Sequence, residues 1–160
     1  MSIKLYGSMG LLILVLFTTC QDGDGEREIQ GNLVPPAVRT NFEKAYPNVL
    51  VEEYTEEKED GVVCYEIEFV SQGQKIVVVY DQAGNLLETE TLIPPANLPQ
   101  AILQTLSGRF AKFSIEKVEL VEKADDTFFE VELNSYENNV PKLVEVTLDS
   151  TGHIHAEERK

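Results

Sequence analysis

Two cysteines and two histidines are the side chains of this sequence that are best suited to nucleophilic or metal chemistry. Cys64 would need a general base within reach to act as a nucleophile. Both histidines, His153 and His155, lie far along the chain, in its last predicted strand. We therefore interpret Cys64 as a semi-buried structural thiol and keep a catalytic or pairing thiol as the alternative.

His153, His155 and Glu157 are spaced two residues apart, so a strand would place them on one face. A zinc site would need three well-spaced ligands and hydrogen-bonding groups that orient them. We interpret these residues as exposed positions of an edge strand, with a zinc site as the alternative. We expect no metal and no cofactor.

The glutamates form two alternating pairs, Glu66 with Glu68 and Glu130 with Glu132. Paired carboxylates can catalyse hydrolysis when they flank a cleft. Here they alternate with apolar residues, so we interpret them as the solvated side of two strands. The sequence also contains no phosphate-binding loop and no catalytic triad motif. We therefore expect that the protein is not an enzyme.

Cys20 separates the most apolar segment of the chain from an acidic one. Lys4 is followed by an apolar run at residues 11–17, far shorter than the ~20 residues that span a bilayer. A short apolar run behind a positive charge is typical of a secretion signal. Thr18 and Thr19 are small, as a cleavage site requires.

This segment resembles the bacterial lipoprotein signal, in which the cysteine becomes the lipidated first residue of the mature protein. The resemblance implies a signal peptide at residues 1–19 and lipidation of Cys20, which would anchor the protein to a membrane. An ordinary secretion signal with an incidental cysteine is the alternative.

Residues 20–31 are polar and rich in glycine and acidic residues, which bury too little apolar surface to fold, so we expect a flexible acidic tether. Asp22, Asp24 and Glu26 resemble the export signal that follows the cysteine in Bacteroidetes-type lipoproteins. That resemblance implies anchoring to the outer membrane in the bacterial cell envelope, on the periplasmic or the outer side.

The charge balance is strongly acidic. The chain has 13 Lys and Arg against 28 Asp and Glu, and removal of residues 1–19 would take away only Lys4, which gives 12 − 28 = −16. This charge argues against nucleic-acid binding, which depends on basic patches. It also argues against direct adsorption to anionic lipid, so membrane contact would be through the anchor alone.

The sequence contains an internal repeat. A shift of 64 residues places Pro35 on Pro99 and residues 65–69 (YEIEF) on 129–133 (FEVEL). After a further four residues, 77–86 matches 145–154. We therefore predict two tandem repeats, at residues 32–94 and 96–160.

Each repeat reads as one helix followed by about four strands. Prolines precede each helix, and apolar residues at helical spacing follow them. Gly73 and Gly84 mark turns between strands, and the Val51/Tyr54 spacing, which Ile115/Val118 matches in the second repeat, indicates a β-bulge. The predicted fold class is α+β, with each helix packed on an antiparallel sheet that has one apolar and one acidic face.

The order of these motifs resembles the PepSY-like domains of secreted Bacteroidetes proteins, which are similar in fold to the beta-lactamase inhibitor protein. The resemblance is carried by Pro36-Ala37-Val38, Phe42, Tyr46-Pro47, residues 65–69 and residues 80–86. Both repeats contribute, although the second has Ala111 where the first has Pro47. These motifs are structural and not catalytic.

The strand alternation predicts a binding surface. If the inward side holds Tyr65 and its alternate neighbours, then Cys64, Glu66, Glu68, Phe128, Glu130 and Glu132 point the other way. Two sheets joined edge to edge would unite them into one acidic surface with two apolar spots. We expect this surface to bind an unidentified protein or peptide, and the resemblance implies a protease or hydrolase inhibitor as one form. A structural or sensing envelope module with no tight ligand is the alternative.

Overall fold

The computed structural model describes residues 25–59, 61–124, 126–137 and 140–160. The predicted signal peptide and Cys20 lie outside these residues, so both stay predictions. Within the described ranges, no helix is long and apolar enough to cross a membrane.

The described residues form two α-helices, one 3₁₀ turn and nine strands. The helices are α1 (Pro36–Ala45) and α2 (Gln100–Arg109), and the 3₁₀ turn is Pro95–Asn97. The strands are β1 (Gly25–Glu28), β2 (Leu50–Glu59), β3 (Val62–Ser71), β4 (Gln74–Asp81), β5 (Leu86–Leu92), β6 (Phe113–Lys123), β7 (Asp126–Glu137), β8 (Val140–Asp149) and β9 (Ile154–Arg159).

Prolines set the starts of both helices, as their spacing predicts. α1 begins directly after Pro35 and α2 directly after Pro99. Pro36 suits the first position of α1 because its φ angle is already helical and its missing N–H would have no partner there, and Pro99 directly before α2 likewise gives up no hydrogen bond within the helix. At the other ends, the amides of Tyr46 and Phe110 each donate to a carbonyl four residues back, at 2.8 Å.

All nine strands form one antiparallel sheet in which each strand pairs with the next one in the chain. β5 pairs with β6, with Leu92 opposite Glu119. This pairing merges the two predicted four-stranded sheets into one. Register shifts after Val51 in β2 and after Ile115 in β6 are the bulges that the sequence indicates.

Both helices cover the same face of the sheet. Residues paired across strands point to the same side, and the pairing is continuous from β3 to β8, so the residues under α1 and α2 share a face. α1 buries Val38 and Phe42 in one core cluster, and α2 buries Ile102 and Leu106 in a second. The sheet residues of the two clusters are Tyr65, Ile67, Phe69, Val78 and Tyr80, and Val118, Phe129, Val131, Leu133, Val144, Val146 and Leu148.

Two turns that contain glycine form hydrogen bonds between the sheet and the helices. Gly84 and Gly152 adopt φ angles of +84° and +85°. The backbone amide of each donates a hydrogen bond to the backbone carbonyl of the aspartate three residues before it. Their carbonyls accept hydrogen bonds of 2.8 Å from Asn41 of α1 and Thr105 of α2. A Cβ atom on either glycine would lie 2.8 Å from helix atoms, so both the φ angle and the close approach require glycine.

The prediction of a flexible tether at residues 20–31 is wrong for residues 25–28, which form β1. This strand pairs antiparallel with β2, and the Arg27 guanidinium lies 2.7 Å from the Glu56 carboxylate. Directly after it, Ile29 is buried in the first core cluster. Composition alone missed β1 because the backbone hydrogen bonds of an edge strand depend on a distant partner strand.

Candidate functional site

The face of the sheet opposite the helices is the candidate site. Strand alternation turns Glu66 and Glu68 away from the core, and likewise Glu130 and Glu132 in the second half of the chain. We call this surface the acidic face. It comprises Cys64, Glu66, Glu68, Glu88, Glu90, Glu119, Phe128, Glu130, Glu132 and Glu145, with Val77, Val79 and Val121 between them.

The strand register places the glutamates of the two halves next to one another. Val79 lies between Glu66 of β3 and Glu88 of β5. One row further along, β4, β5, β6 and β7 align Val77, Glu90, Val121 and Phe128. In the following row Glu119 lies opposite Glu130. The join between β5 and β6 therefore brings together carboxyl groups that are far apart in the sequence.

The interpretation of the glutamates as solvated is wrong for the centre of this face. Glu90 is only 1% exposed, and Glu66 is 9% exposed. Glu88, Glu119 and Glu145 are also buried. Because the two halves form one sheet, a central glutamate has neighbouring strands on both sides, and their side chains lie within contact range.

Burial changes the ionisation of these glutamates. It raises the pKa of Glu66 and of Glu130 to about 8, and that of Glu90 to about 10, with neighbouring carboxylates raising all three further. Burial also raises the pKa of Glu88, against the lowering effect of Lys123. Glu66, Glu90 and Glu130 therefore hold protons at neutral pH, and the face carries less charge than the sequence indicates.

Lysines form ion pairs with four of the glutamates of the acidic face. Four ion pairs, of 2.7–3.3 Å, surround its centre. They join Lys75 to Glu68, Lys117 to Glu119, Lys123 to Glu88, and Lys160 to Glu145. At the centre, both carboxyl oxygens of Glu90 are buried and have no hydrogen-bond partner.

Cys64 and Phe128 lie at corresponding places on the outer part of the face. Cys64 pairs in register with Asp81, and Phe128 with Asp149. Both side chains are half-buried. The Phe128 ring packs edge-on against the ring of His155, with centroids 5.1 Å apart.

The histidines form a small cluster at the end of the sheet. The Nε2 atom of His155 lies 3.2 Å from a carboxylate oxygen of Asp149, and the His153 ring lies 5.0 Å from that of His155. Glu157, the third residue of the zinc alternative, instead binds Arg109 of α2 at 2.9 Å. Among the described residues, no group of three or more His, Cys, Asp or Glu side chains is placed to hold a metal ion.

Sequence reasoning missed half of the acidic face. Glu88 and Glu90 alternate with threonine in β5, and Glu119 and Glu145 alternate with apolar residues in β6 and β8. This alternation is a signal from which the outward direction of these glutamates could have been predicted. No local signal indicates that the four glutamates lie close together, because that depends on the pairing of β5 with β6.

A groove opens at the join between the two halves. Its volume is about 560 Å³, and it lies between the β3–β4 hairpin, the segment after β5, and β6. Leu92 and Lys117 line it, and both also belong to the acidic side of the sheet. Leu92 is 38% exposed, which makes it an accessible apolar residue close to the centre of the face.

A model of the family described as "Putative beta-lactamase-inhibitor-like, PepSY-like" matches residues 24–88 and again residues 65–156. The two matches together extend over most of the chain. No curated protein matches the sequence significantly.

Solved structures share the fold. A "putative periplasmic" protein from Bacteroides eggerthii is similar with a TM-score of 0.67 and 15% identity, over 79% of this chain and 88% of that one. A DUF2874 family protein from Bacteroides uniformis has a TM-score of 0.65 and 18% identity, over 78% of this chain and 88% of that one. A BLIP-like protein from Bacteroides fragilis has a TM-score of 0.60 and 24% identity, over 81% of this chain and 89% of that one. At these identities the likeness establishes the fold alone.

Proposed function

We propose that this chain, which belongs to the beta-lactamase-inhibitor-like, PepSY-like family, is a non-enzymatic envelope protein that binds a protein or peptide partner through its acidic face. The observation that carries the proposal is the continuity of this face across the join of β5 and β6. Nine strands present one surface, while both helices cover the opposite side.

The composition of the face supports a protein partner. Half-buried Phe128 is an aromatic side chain, a type that is enriched at protein interfaces, and exposed Leu92 adds accessible apolar surface. The whole chain has a net charge of −15, and this negative charge attracts basic segments and speeds their encounter. Inhibition of a hydrolase is one form of this function, which the family description and the BLIP-like neighbour suggest, although one fold serves many functions.

The location that we propose is the bacterial cell envelope. The sequence of residues 1–20 resembles a lipoprotein signal, and the similar protein from Bacteroides eggerthii is described as periplasmic. In this proposal Cys20 carries the lipid anchor in the outer membrane. Residues 32–94 and 96–160 are two copies of one unit, a helix with four strands, that together form the binding face.

Capture of the partner by matched variants tests the proposal. The double variant Glu68→Gln/Glu132→Gln removes two half-buried carboxylates from the acidic face. The control Glu43→Gln/Glu122→Gln makes the same charge change at exposed positions on the helix-covered side. We expect any protein captured from the native envelope to be retained by the control and reduced at least several-fold by the acidic-face variant. Equal capture by both variants would place the binding surface elsewhere.

A further inference from the structure

We propose that the buried, unpaired carboxyl group of Glu90 is the docking point for one ammonium or guanidinium group of the partner. The proposal rests on the proposed function, because it names the chemistry that the acidic face recognises. Glu90 is 1% exposed, and neither carboxyl oxygen has a hydrogen-bond partner. Buried carboxyl oxygens are normally paired, so this side chain has unused capacity for a ligand.

The groups that face Glu90 from the neighbouring strands leave it without a cation. Carboxyl groups approach it from four strands, namely Glu88 on its own strand, Glu66 on β3, Glu119 on β6 and Glu130 on β7. Lys117 on β6 is also near enough to interact with it. However, the Lys117 ammonium lies 2.8 Å from Glu119, and the Lys123 ammonium lies 3.3 Å from Glu88.

The nearest neighbours of Glu90 along the sheet are uncharged. Val77 of β4 and Val121 of β6 are its partners in register. No cation among the described residues is paired with Glu90, so a cation brought by the partner would meet two unpaired carboxyl oxygens.

An organic cation fits this place better than a metal ion. Calcium needs six or more oxygen ligands that converge on one point, and no group of three or more acidic, His or Cys side chains among the described residues is placed to hold a metal. An ammonium group can pair with a single carboxylate as a point charge, and a guanidinium group can bind both oxygens of one carboxylate.

The groove at the join of the two halves offers an approach to Glu90. Leu92 lines the groove and lies on the same side of β5, two residues away, which is about 7 Å along a strand. The side chain of a lysine or arginine can cover that distance, with its methylene groups packed on Leu92 and its charge at Glu90. The partner segment would therefore place a basic residue beside an apolar one.

Docking exchanges a cation for a proton. Burial and the four neighbouring carboxyl groups raise the pKa of Glu90 to about 10, so it is neutral in the free protein at pH 7. When a guanidinium group binds, the Glu90 O–H bond breaks, the proton leaves to the solvent, and the carboxylate forms the ion pair. Affinity should then rise with pH, by up to about tenfold per unit, because less work is needed to remove the proton. Glu66 and Glu130 titrate near pH 8 and would add to this dependence.

The test uses the acetylated and amidated tripeptide Leu-Arg-Leu, with Leu-citrulline-Leu as its neutral counterpart. Binding to the full chain is followed by NMR at millimolar peptide, at about pH 6 and about pH 8. We expect the arginine peptide to shift the amide signals of Glu90 and Leu92 and to bind about ten- to a hundredfold more tightly at the higher pH. We expect the citrulline peptide to bind at least tenfold more weakly.

The variant Glu90→Gln resembles the protonated side chain, so it should fold and yet lose the preference for arginine. The control Glu43→Gln, on the exposed side of α1, should keep it. The proposal is overturned if the two peptides bind equally, if no arginine-dependent shift occurs, or if CaCl₂ alone shifts the Glu90 signal. If Glu90→Gln binds the arginine peptide elsewhere on the acidic face as tightly as the native chain, this inference fails and the proposed function stands.

Discussion

The ionisation of a glutamate depends on its neighbours more than on its position in a strand pattern. Glu66, Glu90 and Glu130 occupy alternating positions that a solvated strand face would fill with charge. Their burial raises each pKa to about 8 or above. The sequence predicts correctly which way Glu66 and Glu130 point, but it does not predict that Glu90 joins them or that all three hold protons, because that depends on strands paired from both halves of the chain.

At the residue scale, the free energy of unfolding should depend on Glu90. Its pKa rises from 4.5 to about 10 on folding. The stabilisation that Glu90 gives the folded state is therefore complete below pH 4.5 and is lost as the pH rises toward 10. In Glu90→Gln this loss is absent, and the decline in stability between about pH 5 and about pH 8 should flatten by up to about 1.4 kcal/mol per pH unit. Urea denaturation at several pH values measures the slope.

The control for this prediction is Glu43→Gln, whose exposed position should leave the slope unchanged. Part of the slope should remain in Glu90→Gln, because Glu66 and Glu130 titrate over the same range. Parallel pH profiles for the native chain and Glu90→Gln would show that Glu90 does not carry a proton into the folded state.

At the scale of elements, local signals located most of the structure. Proline spacing located the starts of α1 and α2, and glycine located the turns, because both residues restrict or extend the backbone angles directly. The spacing of apolar residues also located the bulges. β1 was missed because its short, polar sequence becomes a strand only by pairing with β2.

The two turn glycines should matter more for stability than a glycine in an open turn. We expect Gly84→Ala and Gly152→Ala each to lower the free energy of unfolding by about 2–3 kcal/mol, because the new Cβ would strain the turn and clash with the helix. Gly73→Ala is the matched control, since Gly73 has a φ of +81° but no atom near its Cβ position. It should lose about 1–2 kcal/mol from the backbone alone.

Thermal and urea denaturation of the three glycine variants measures these differences. If Gly73→Ala were as destabilising as Gly84→Ala, backbone angle would explain the whole effect. The close contact between turn and helix would then contribute nothing to stability.

At the scale of the whole molecule, the pairing of β5 with β6 decides the function that we propose. The internal repeat and the family motifs in the sequence predicted two helix-and-sheet units, but whether the units join depends on the pairing of β5 with β6, which no local pattern reveals. The join creates the continuous acidic face and buries its central glutamates.

The attachment of the molecule to its membrane is a separate prediction. We expect Cys20→Ser to abolish acylation and to release the protein from membranes, because the Cys20 thiol is the group that would carry the acyl chains. Detergent partitioning and mass spectrometry of the mature N-terminus measure both effects. A variant that still partitions with lipid would show that Cys20 is not the anchor.

The most direct test of the acidic face as a binding surface is a carboxyl footprint of the protein in its native envelope. Carbodiimide labelling read by mass spectrometry compares Glu68 and Glu132 on the acidic face with Glu43 and Glu122 on the helix-covered side. We predict that Glu68 and Glu132 are labelled several-fold less in the envelope than in the purified protein, while Glu43 and Glu122 are labelled equally in both. Protection of Glu43 and Glu122 alone, or of none of the four, would contradict the account.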